Sequence, residues 1–366
     1  MSTPCAAPGL TLAFGAAPAP PSERAELAAS PPDPLIGSRV GSFHVVRLLG
    51  RGGMGTVYLA EHPVIGSKVA VKFLHDSMAS DPATVARFFD EARAVNLIGH
   101  ENIVGIYDLS MLPPNRYFFV MEYLEGETLQ GLLRAGPVEP GVARDVLLQM
   151  CDALQCAHEH GVVHRDLKPE NVFLVQRRGK SHFVKLVDFG IAKLRQRGSA
   201  AKTQAGFIVG TPEYMAPEQC EDGVIDARTD VYALGAMAFE LATGRLPFQG
   251  KTVTQLLLAH LKEPPPAPSS LAPVPEALEA AILRALEKDR ERRFPRVEEL
   301  VNALAATVGL PGIAPRAGTI IAHAAAPVPV ATGVPQRPAT PQPASAPHAA
   351  TTAGVAPAPP PRERTD

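Results

Sequence analysis

Hydrophobic and polar residues alternate in short runs over the first third of a patterned segment that extends over residues 36–308. Short runs rich in β-branched and aromatic residues, separated by glycine, proline or polar clusters, are typical of strands. The runs predict strands at Phe43–Leu49, Thr56–Ala60, Val69–Leu74, Val104–Leu109 and Tyr117–Met121. Beyond Gly126 the pattern is mostly helical. Strands followed by helices predict an α+β domain in two parts, with a cleft where the parts meet.

One helix is predicted within the strand-rich part. Asp81 is a suitable N-cap, and Pro82 suits the first turn. One face of this helix carries four apolar residues: Val85, Phe88, Ala92 and Val95. Glu91 shares that face, where a carboxylate is costly unless it is paired. We therefore expect an ion pair between Glu91 and Lys72 of the preceding strand; the alternative is a solvated helix edge for Glu91.

Composition changes sharply at both ends of the chain. Residues 1–34 contain eight prolines and nine alanines, and residues 311–366 contain 13 prolines and 15 alanines, which is half of each segment. Neither end shows helical or strand periodicity, and proline removes backbone donors. The sequence therefore predicts a disordered tail over 1–35, one folded domain over 36–308 and a second disordered tail over 309–366. A docking arm for a partner is the alternative role of the tails.

Charge and cysteine usage argue against several classes of function. The formal net charge is −2 and 20% of the residues are charged, so no basic footprint for nucleic acid or an acidic membrane is present. The cysteines form no CxxC pair and no metal-ligand spacing: they are Cys5, Cys151, Cys156 and Cys220. No apolar run reaches the ~18–20 residues of a membrane span, and no signal-peptide pattern is seen. We expect a cytoplasmic protein.

A glycine-rich stretch joins the first two strands. It reads Gly50-Arg51-Gly52-Gly53-Met54-Gly55-Thr56-Val57, a GxGxxGxV pattern. Glycines at this spacing let the backbone approach phosphate oxygens, but a dinucleotide-binding turn uses the same glycines. A dinucleotide fold needs a helix directly afterwards, whereas here a strand-like run follows and Lys72 lies 17 residues beyond Gly55. The stretch predicts a hairpin that faces nucleotide phosphates; a hairpin that only turns the chain is the alternative.

Two polar stretches carry the residue types of a phosphoryl-transfer site. The first is His164-Arg165-Asp166-Leu-Lys168-Pro-Glu-Asn171, directly before a strand-like run at Val172–Val175. The second is Asp188-Phe-Gly190, directly after a run at Val184–Val187. Phosphoryl transfer needs oxygen ligands for a divalent metal and a base directed at the nucleophile. The metal ligands are expected at Asn171 and Asp188, the base at Asp166, and a cation that steadies the phosphoryl group at Lys168.

These motifs together resemble those of the eukaryotic-type serine/threonine protein kinases, and closely those of the bacterial branch of that family. The resemblance covers residues 43–305 and includes a further motif, Ala216-Pro-Glu218. It implies a bilobal protein kinase fold, with a small β-rich lobe that carries one key helix above a larger helical lobe. It also implies that ATP binds between the lobes with Mg²⁺ or Mn²⁺, and that protein substrates receive its γ-phosphate on serine or threonine.

The resemblance assigns further residues around the nucleotide. Met121 resembles the gatekeeper. Glu122 and Leu124 fall where the hinge backbone binds adenine, so their side chains are expected to matter little. Three apolar residues match the positions that sandwich the adenine ring: Val57, Ala70 and Phe173.

Structural supports are also implied by the resemblance. Glu218 matches an acid that pairs with a distant arginine, here Arg293. Asp230 matches a buried helix acid that holds the catalytic loop. Thr211 matches the threonine that bonds the catalytic aspartate and lysine, and together with Lys168 it favours serine or threonine over tyrosine as the acceptor.

Residues 191–209 are expected to form an activation segment. Arg165 directly precedes the catalytic Asp166, an arrangement that in the family it resembles usually goes with activation by phosphorylation. A phosphate on this segment is then expected to pair with Arg165 and order the loop. Thr203 is the first candidate for that phosphate and Ser199 the second; the alternative is that both are ordinary polar loop residues.

The partners expected from the resemblance are protein substrates, phosphothreonine-reading or tail-binding proteins, and a second copy of the chain on activation. Two other functions compete with a kinase. A pseudokinase scaffold is disfavoured because the lysine, base and metal ligands are all present. A small-molecule phosphotransferase is disfavoured by the Ala216-Pro-Glu218 motif and its Arg293 partner.

Overall fold

The computed structural model describes residues 33–177, 179–190, 212–221 and 223–306. Within these residues the chain forms nine strands and eight α-helices. The strands precede most of the helices, and the two groups build a small β-rich lobe and a larger helical lobe. The α+β bilobal architecture expected from the sequence is therefore confirmed.

The small lobe is built on a six-stranded antiparallel sheet with the order β1-β2-β3-β4-β6-β5. Its strands are β1 (Arg39–Val40), β2 (Phe43–Arg51), β3 (Gly55–Glu61), β4 (Lys68–Leu74), β5 (Ile106–Leu112) and β6 (Arg116–Glu122). One face of the sheet buries a cluster that includes Val45, Tyr58, Val71 and Phe118. Short runs of β-branched and aromatic residues bounded by glycine, proline or polar residues explain why the sequence pattern located four of these strands to within two residues.

Helix α1 (Pro82–Ile98) crosses the small lobe between β4 and β5. As expected, the Asp81 side chain caps it, accepting a hydrogen bond from the Ala83 N–H, and Pro82 lies in the first turn. Gly99 ends the helix in the left-handed conformation, with φ of 61°. Its buried face includes Phe88, Ala92 and Val95 together with Glu91, so the predicted inward face is confirmed.

The larger lobe contains a three-stranded sheet and seven helices of the described chain. The strands, in the order β7-β8-β9, are β7 (Gly126–Thr128), β8 (Val172–Arg177) and β9 (Lys180–Leu186). The helices are α2 (Leu129–Ala135), α3 (Pro140–Glu159), α4 (Pro217–Cys220), α5 (Ala227–Thr243), α6 (Val253–Lys262), α7 (Glu276–Ala285) and α8 (Val297–Ala306). Helix α5 is buried along most of its length and packs against α3, α7 and α8, so it is the centre of this lobe.

The prediction of a strand at Val104–Leu109 is wrong at its start, because β5 begins at Ile106. Val104 instead donates its N–H to the carbonyl oxygen of Leu186 in β9, 3.0 Å away. A short apolar run cannot reveal which strand it will pair with, so the sequence pattern merged this crossing segment with β5. The run predicted at Val184–Val187 likewise belongs to a longer strand, β9, that ends at Leu186.

Among the described residues, every helix is too short or too polar to cross a bilayer. Cys151 and Cys156 lie on α3, where Cys151 is fully buried, and burial raises its pKa. Both pack as small apolar residues in or against the main core, and Cys5 lies outside the described residues.

Candidate active site

The glycine-rich stretch forms the hairpin between β2 and β3, as expected. The Gly52 N–H donates a hydrogen bond to the Gly55 carbonyl oxygen, 2.8 Å away. A Cβ atom on Gly55 would lie 2.1 Å from the carbonyl oxygen of Phe73, whereas one on Gly50 would meet nothing within 4 Å. The hairpin is thus tightly packed at its base and open near Gly50. It also contains the other residues assigned to it, namely Arg51, Gly53, Met54, Thr56 and Val57.

Lys72 lies on β4 opposite Val57 of the hairpin and is almost fully buried. Its Nζ donates a hydrogen bond to Oδ1 of Asp188 at 2.7 Å and lies 3.8 Å from Oε1 of Glu91. Burial by itself would lower the pKa of Lys72, but the two carboxylates outweigh it and raise this pKa above its ordinary value. The lysine is therefore a fixed cation. The expected pair with Glu91 is present, beside a shorter contact with Asp188.

Asp188 follows β9 with a positive φ of 54°, a conformation that few non-glycine residues adopt. Burial by itself would raise the pKa of Asp188, but the ammonium group of Lys72 holds this pKa below its ordinary value. The side chain is still 45% exposed. Asp188 therefore presents an ionised carboxylate with one oxygen on Lys72.

The expected catalytic loop brings Asp166, Lys168 and Asn171 together. The Asn171 Nδ2 group donates to the backbone carbonyl oxygen of Asp166 at 2.8 Å and to its Oδ2 at 3.2 Å. The Lys168 Nζ lies 3.6 Å from Oδ2 of Asp166. A Cβ on Gly190 would lie 3.0 Å from the Cβ of Asp166, so the segment after Asp188 packs directly on the loop. The loop and the Asp188 segment thus form one packed unit.

This arrangement fits a divalent metal ion. Hard cations prefer carboxylate and amide oxygens, and Asp188 offers an ionised carboxylate. The two donor bonds of Asn171 use its amide nitrogen, which leaves its amide oxygen as an acceptor. Over the described ranges, no group of three or more histidine, cysteine, aspartate or glutamate side chains could hold a metal alone. That donor set matches Mg²⁺, which usually takes one or two protein oxygens and completes its shell with phosphate oxygens and water.

Asp230 of helix α5 holds the start of the catalytic loop. Its Oδ2 accepts the N–H of His164 at 2.8 Å, and its Oδ1 accepts the N–H of Arg165 at 2.9 Å. The Nε2 atom of His158 lies 2.7 Å from the same Oδ2. Burial by itself would raise the pKa of Asp230, but these hydrogen bonds and the nearby His158 hold this pKa below its ordinary value. The catalytic loop therefore has a fixed anion at its base.

A second support joins Glu218 to Arg293. Arg293 donates from both terminal nitrogens to the two carboxylate oxygens of Glu218, each at 2.9 Å. Both residues are buried. The pairing expected for these two residues is thus present in the structure.

The residues assigned to the adenine site lie along the junction between the lobes. Ala70 of β4 faces Met121 of β6 in the strand register, and both join one buried cluster. Leu124 and Phe173 belong to another buried cluster in the three-stranded sheet. Glu122 ends β6, and its side chain forms a 2.6 Å salt bridge with Lys185 of β9.

Three assigned residues lie outside the described part of the chain: Ser199, Thr203 and Thr211. Arg165 is described and has a positive φ of 66°. Within the described residues its buried Nε atom has no hydrogen-bond partner. The regulatory assignment of these residues therefore stays a prediction.

Several polar contacts at the site were missed by sequence reasoning. His158 contacts Asp230, and Lys185 contacts Glu122. Gln219 donates from Nε2 to the Arg165 carbonyl oxygen at 2.8 Å. Lys185 gave one signal, because it is a charged residue between buried apolar neighbours of a strand. His158 and Gln219 gave none, since their partners are distant in the sequence.

The chain is similar in sequence to a known domain family and to several proteins. The profile of the protein kinase domain matches residues 43–303. The serine/threonine-protein kinase Pkn1 of Myxococcus xanthus is 55% identical over 273 residues, covering 74% of this chain and 39% of the relative. The serine/threonine-protein kinase PrkC of Bacillus subtilis is 38% identical over 269 residues, covering 73% of this chain and 40% of the relative. The chain therefore spans less than half the length of these relatives.

Solved structures are similar in fold. The crystal structure of the Mycobacterium tuberculosis PknI kinase domain is 27% identical, with a TM-score of 0.58. The match covers 75% of this chain and 99% of that one. The match extends over nearly all of that kinase domain, which agrees with the two-lobed architecture described above.

Proposed function

Because the chain belongs to the protein kinase family, we propose that it transfers the γ-phosphoryl group of ATP to serine or threonine hydroxyls of other proteins. The kinase domain is proposed to extend over residues 36–308, slightly beyond the matched region. The relatives' names support serine and threonine as acceptors. Lys168 in the catalytic loop supports the same choice through the family resemblance.

The observation that carries this proposal is a connected set of ionic, hydrogen-bonded and packing contacts across the junction of the lobes. It runs from Glu91 through Lys72 to Asp188 by ionic contacts of 3.8 and 2.7 Å. Gly190, two residues beyond Asp188, packs against Asp166 and donates its N–H to the His164 carbonyl oxygen at 2.7 Å. Cation, candidate metal ligand and candidate base are thus held in one network. Such convergence is the arrangement that phosphoryl transfer requires.

Each residue has a defined task in the proposed reaction. Asp166 accepts the proton of the substrate hydroxyl. The hydroxyl oxygen of the substrate attacks the γ-phosphorus, and ADP departs as the leaving group. Lys168 stabilises the charge on the phosphoryl group in transfer. Lys72, held by its carboxylate partners, binds the α- and β-phosphates, and Glu91 keeps the lysine aligned.

Asn171 and Asp188 are proposed to hold Mg²⁺, with Mn²⁺ as a substitute. When bound, the metal neutralises charge on the phosphates. The adenine ring is proposed to lie between Val57 and Ala70 on one side and Phe173 on the other.

Regulation by the activation segment is part of the proposal. A phosphate on Thr203, or on Ser199, would pair with Arg165, whose buried Nε has no partner among the described residues. A Thr203→Ala protein is then expected to lose activation by preincubation with ATP. An undiminished rate together with unchanged phosphate stoichiometry would rule out this site.

The proposed activity is tested by phosphate transfer from labelled ATP with Mg²⁺ to a generic protein substrate. Wild type is compared with Asp166→Asn and with Asp145→Asn, an exposed carboxylate on α3. Label on serine or threonine is expected in wild type and in Asp145→Asn, with a loss of about 10²–10⁴-fold in Asp166→Asn. No incorporation by folded wild type, even with added partner proteins, would favour a scaffold instead.

A further inference from the structure

A partly buried salt bridge connects the end of the small-lobe sheet to the strand that leads into the candidate metal site. Glu122 is the last residue of β6, and Lys185 lies in β9, three residues before Asp188. The Lys185 Nζ and the Glu122 Oε2 are 2.6 Å apart. The Lys185 side chain is only 8% exposed and that of Glu122 is 29% exposed. Sequence reasoning gave the Glu122 side chain no role.

Backbone groups of the segment between α1 and β5 also form hydrogen bonds with both side chains of this salt bridge. The Lys185 Nζ also donates to the carbonyl oxygen of Ile103 at 3.3 Å. The Gly105 N–H donates to the Glu122 Oε2 at 3.3 Å, and the Glu122 N–H donates to the Gly105 carbonyl oxygen at 2.8 Å. Each charged group thus has backbone partners in addition to the other charge. These partners fix the positions of both side chains.

The same segment is attached directly to β9. Its Asn102 carbonyl oxygen accepts the N–H of Leu186 at 2.7 Å, and the Val104 N–H donates to the Leu186 carbonyl oxygen at 3.0 Å. The Asn102 side chain donates from Nδ2 to the Val184 carbonyl oxygen at 2.8 Å. The end of β6 and the start of the Asp188 segment are therefore joined by one hydrogen-bonded unit.

From this geometry we propose that Glu122 and Lys185 are positioning residues for nucleotide binding. Their salt bridge sets the distance between the backbone that follows β6 and the carboxylate of Asp188. The inference rests on the proposed function, in which the backbone that follows β6 binds adenine and the Asp188 carboxylate binds the metal on the phosphates. Because one nucleotide must reach both, an error in their separation weakens binding. The pair thus acts through the backbone and touches no reacting atom.

The two single substitutions differ in their expected cost. Glu122→Gln leaves the nearly buried Lys185 ammonium without its carboxylate, whereas Lys185→Met leaves a carboxylate that is partly exposed and still accepts the Gly105 N–H. An unpaired buried charge is the more costly of the two. Glu122→Gln should therefore have the larger effect. The double variant Glu122→Gln/Lys185→Met removes both charges, so it should weaken nucleotide binding no more than Glu122→Gln alone.

The test measures the KM for ATP, kcat and the Kd of ADP with Mg²⁺ in the full chain. Glu122→Gln is expected to raise both KM and Kd about tenfold, the size of coupling usual for contacting residues, with kcat within about twofold of wild type. Lys185→Arg keeps the charge and should remain near wild type. The control is Lys68→Met, which breaks an exposed 3.5 Å pair with Glu125 just beyond the same hinge. That control should leave all three values unchanged.

Two results would overturn the inference. One is a folded Glu122→Gln protein whose KM for ATP and Kd for ADP equal those of wild type. The other is a faster kcat with unchanged KM, which would mean that the pair restrains a motion instead of positioning the nucleotide. Because ADP binding needs no phosphoryl transfer, it tests the pair even if wild type transfers no phosphate, so the two proposals can fail separately.

Discussion

Glu218 and Arg293 form a bidentate salt bridge between segments 75 positions apart in the sequence, with both nitrogen–oxygen distances at 2.9 Å. The Arg293 side chain is 0% exposed and that of Glu218 is 8% exposed. Burial by itself would raise the pKa of Glu218, but the hydrogen bonds and charge of Arg293 keep this pKa below its ordinary value. Thr229 adds a third donor to the same carboxylate at 2.8 Å. The bridge therefore joins α4, α5 and the segment before α8.

Breaking this bridge from one side should destabilise the fold. Glu218→Gln leaves the Arg293 guanidinium buried with only neutral partners, so the free energy of unfolding is expected to fall by about 3–5 kcal/mol. Chemical denaturation measures this change. The control is Arg292→Met, since Arg292 is 72% exposed and its partner Asp289 is 57% exposed. If the two substitutions lower the free energy of unfolding equally, the stabilising role of the Glu218–Arg293 bridge is contradicted.

Gly55 should accept no larger residue. A Cβ there would overlap the Phe73 carbonyl oxygen, so Gly55→Ala must separate β3 from β4. We expect the free energy of unfolding to fall by about 1–3 kcal/mol, as is usual for overpacking, with a lower melting temperature. Gly50→Ala is the comparison, because its Cβ would meet nothing within 4 Å. If Gly55→Ala has the same melting temperature as Gly50→Ala and wild type, the close packing of β3 against β4 at Gly55 is contradicted.

His260 should make the fold sensitive to acid. It is fully buried on α6, and its Nδ1 lies 2.9 Å from the Tyr232 hydroxyl. Burial, with the ammonium of Lys288 adding to it, lowers the pKa of His260 from 6.5 to about 4. Between these values the unfolded chain binds the proton and the folded chain does not. The free energy of unfolding should therefore fall as the pH drops from about 6.5 to about 4, by about 1–3 kcal/mol.

Equilibrium unfolding at several pH values measures this slope. His260→Gln removes the titrating group and should flatten the slope in this window. His44→Gln replaces an exposed histidine on β2 and should leave the slope as in wild type. An unchanged slope in His260→Gln would assign the acid sensitivity to other groups.

Asp230→Asn should slow the reaction without weakening nucleotide binding. An amide cannot accept all the hydrogen bonds that the two carboxylate oxygens receive from His164, Arg165 and His158. A small shift of the catalytic loop should lower kcat about 10–100-fold. The Kd of ADP should stay within about twofold of wild type.

The control for that prediction is Asp226→Asn, which changes the N-cap of the same helix. Asparagine also caps helices well, so kcat should be unchanged. A loss of ADP binding in Asp230→Asn that equals its loss of kcat would indicate general unfolding of the site rather than a displaced loop.

The sequence was sufficient where the deciding information is local. The apolar face of α1 repeats every three to four residues, so spacing placed Glu91 on that face, and the structure then decided between a buried position and a solvated edge. The hairpin at Gly50 to Gly55 follows from strand-like runs on both sides of the glycines. In each case the answer depends on residues within one element.

The sequence was insufficient where partners are distant. Lys72 lies closer to Asp188 than to Glu91, at 2.7 against 3.8 Å, and no spacing rule ranks two carboxylates on different elements. His158 and Asp230 meet across 72 positions, which only the packing of α3 against α5 brings together. The apolar run at Val104 failed for the same reason, since its hydrogen-bond partner lies in β9.

The dependence of the catalytic loop on Asp230 also bears on how the chain matures during synthesis. The acceptor for the His164 N–H is translated 66 residues later, and Arg293 follows 75 residues after Glu218. The small-lobe sheet, in contrast, has all of its strands by residue 122. On the ribosome the sheet can therefore form while the loop at His164 still lacks its anchor, which becomes available only after helix α5 has emerged.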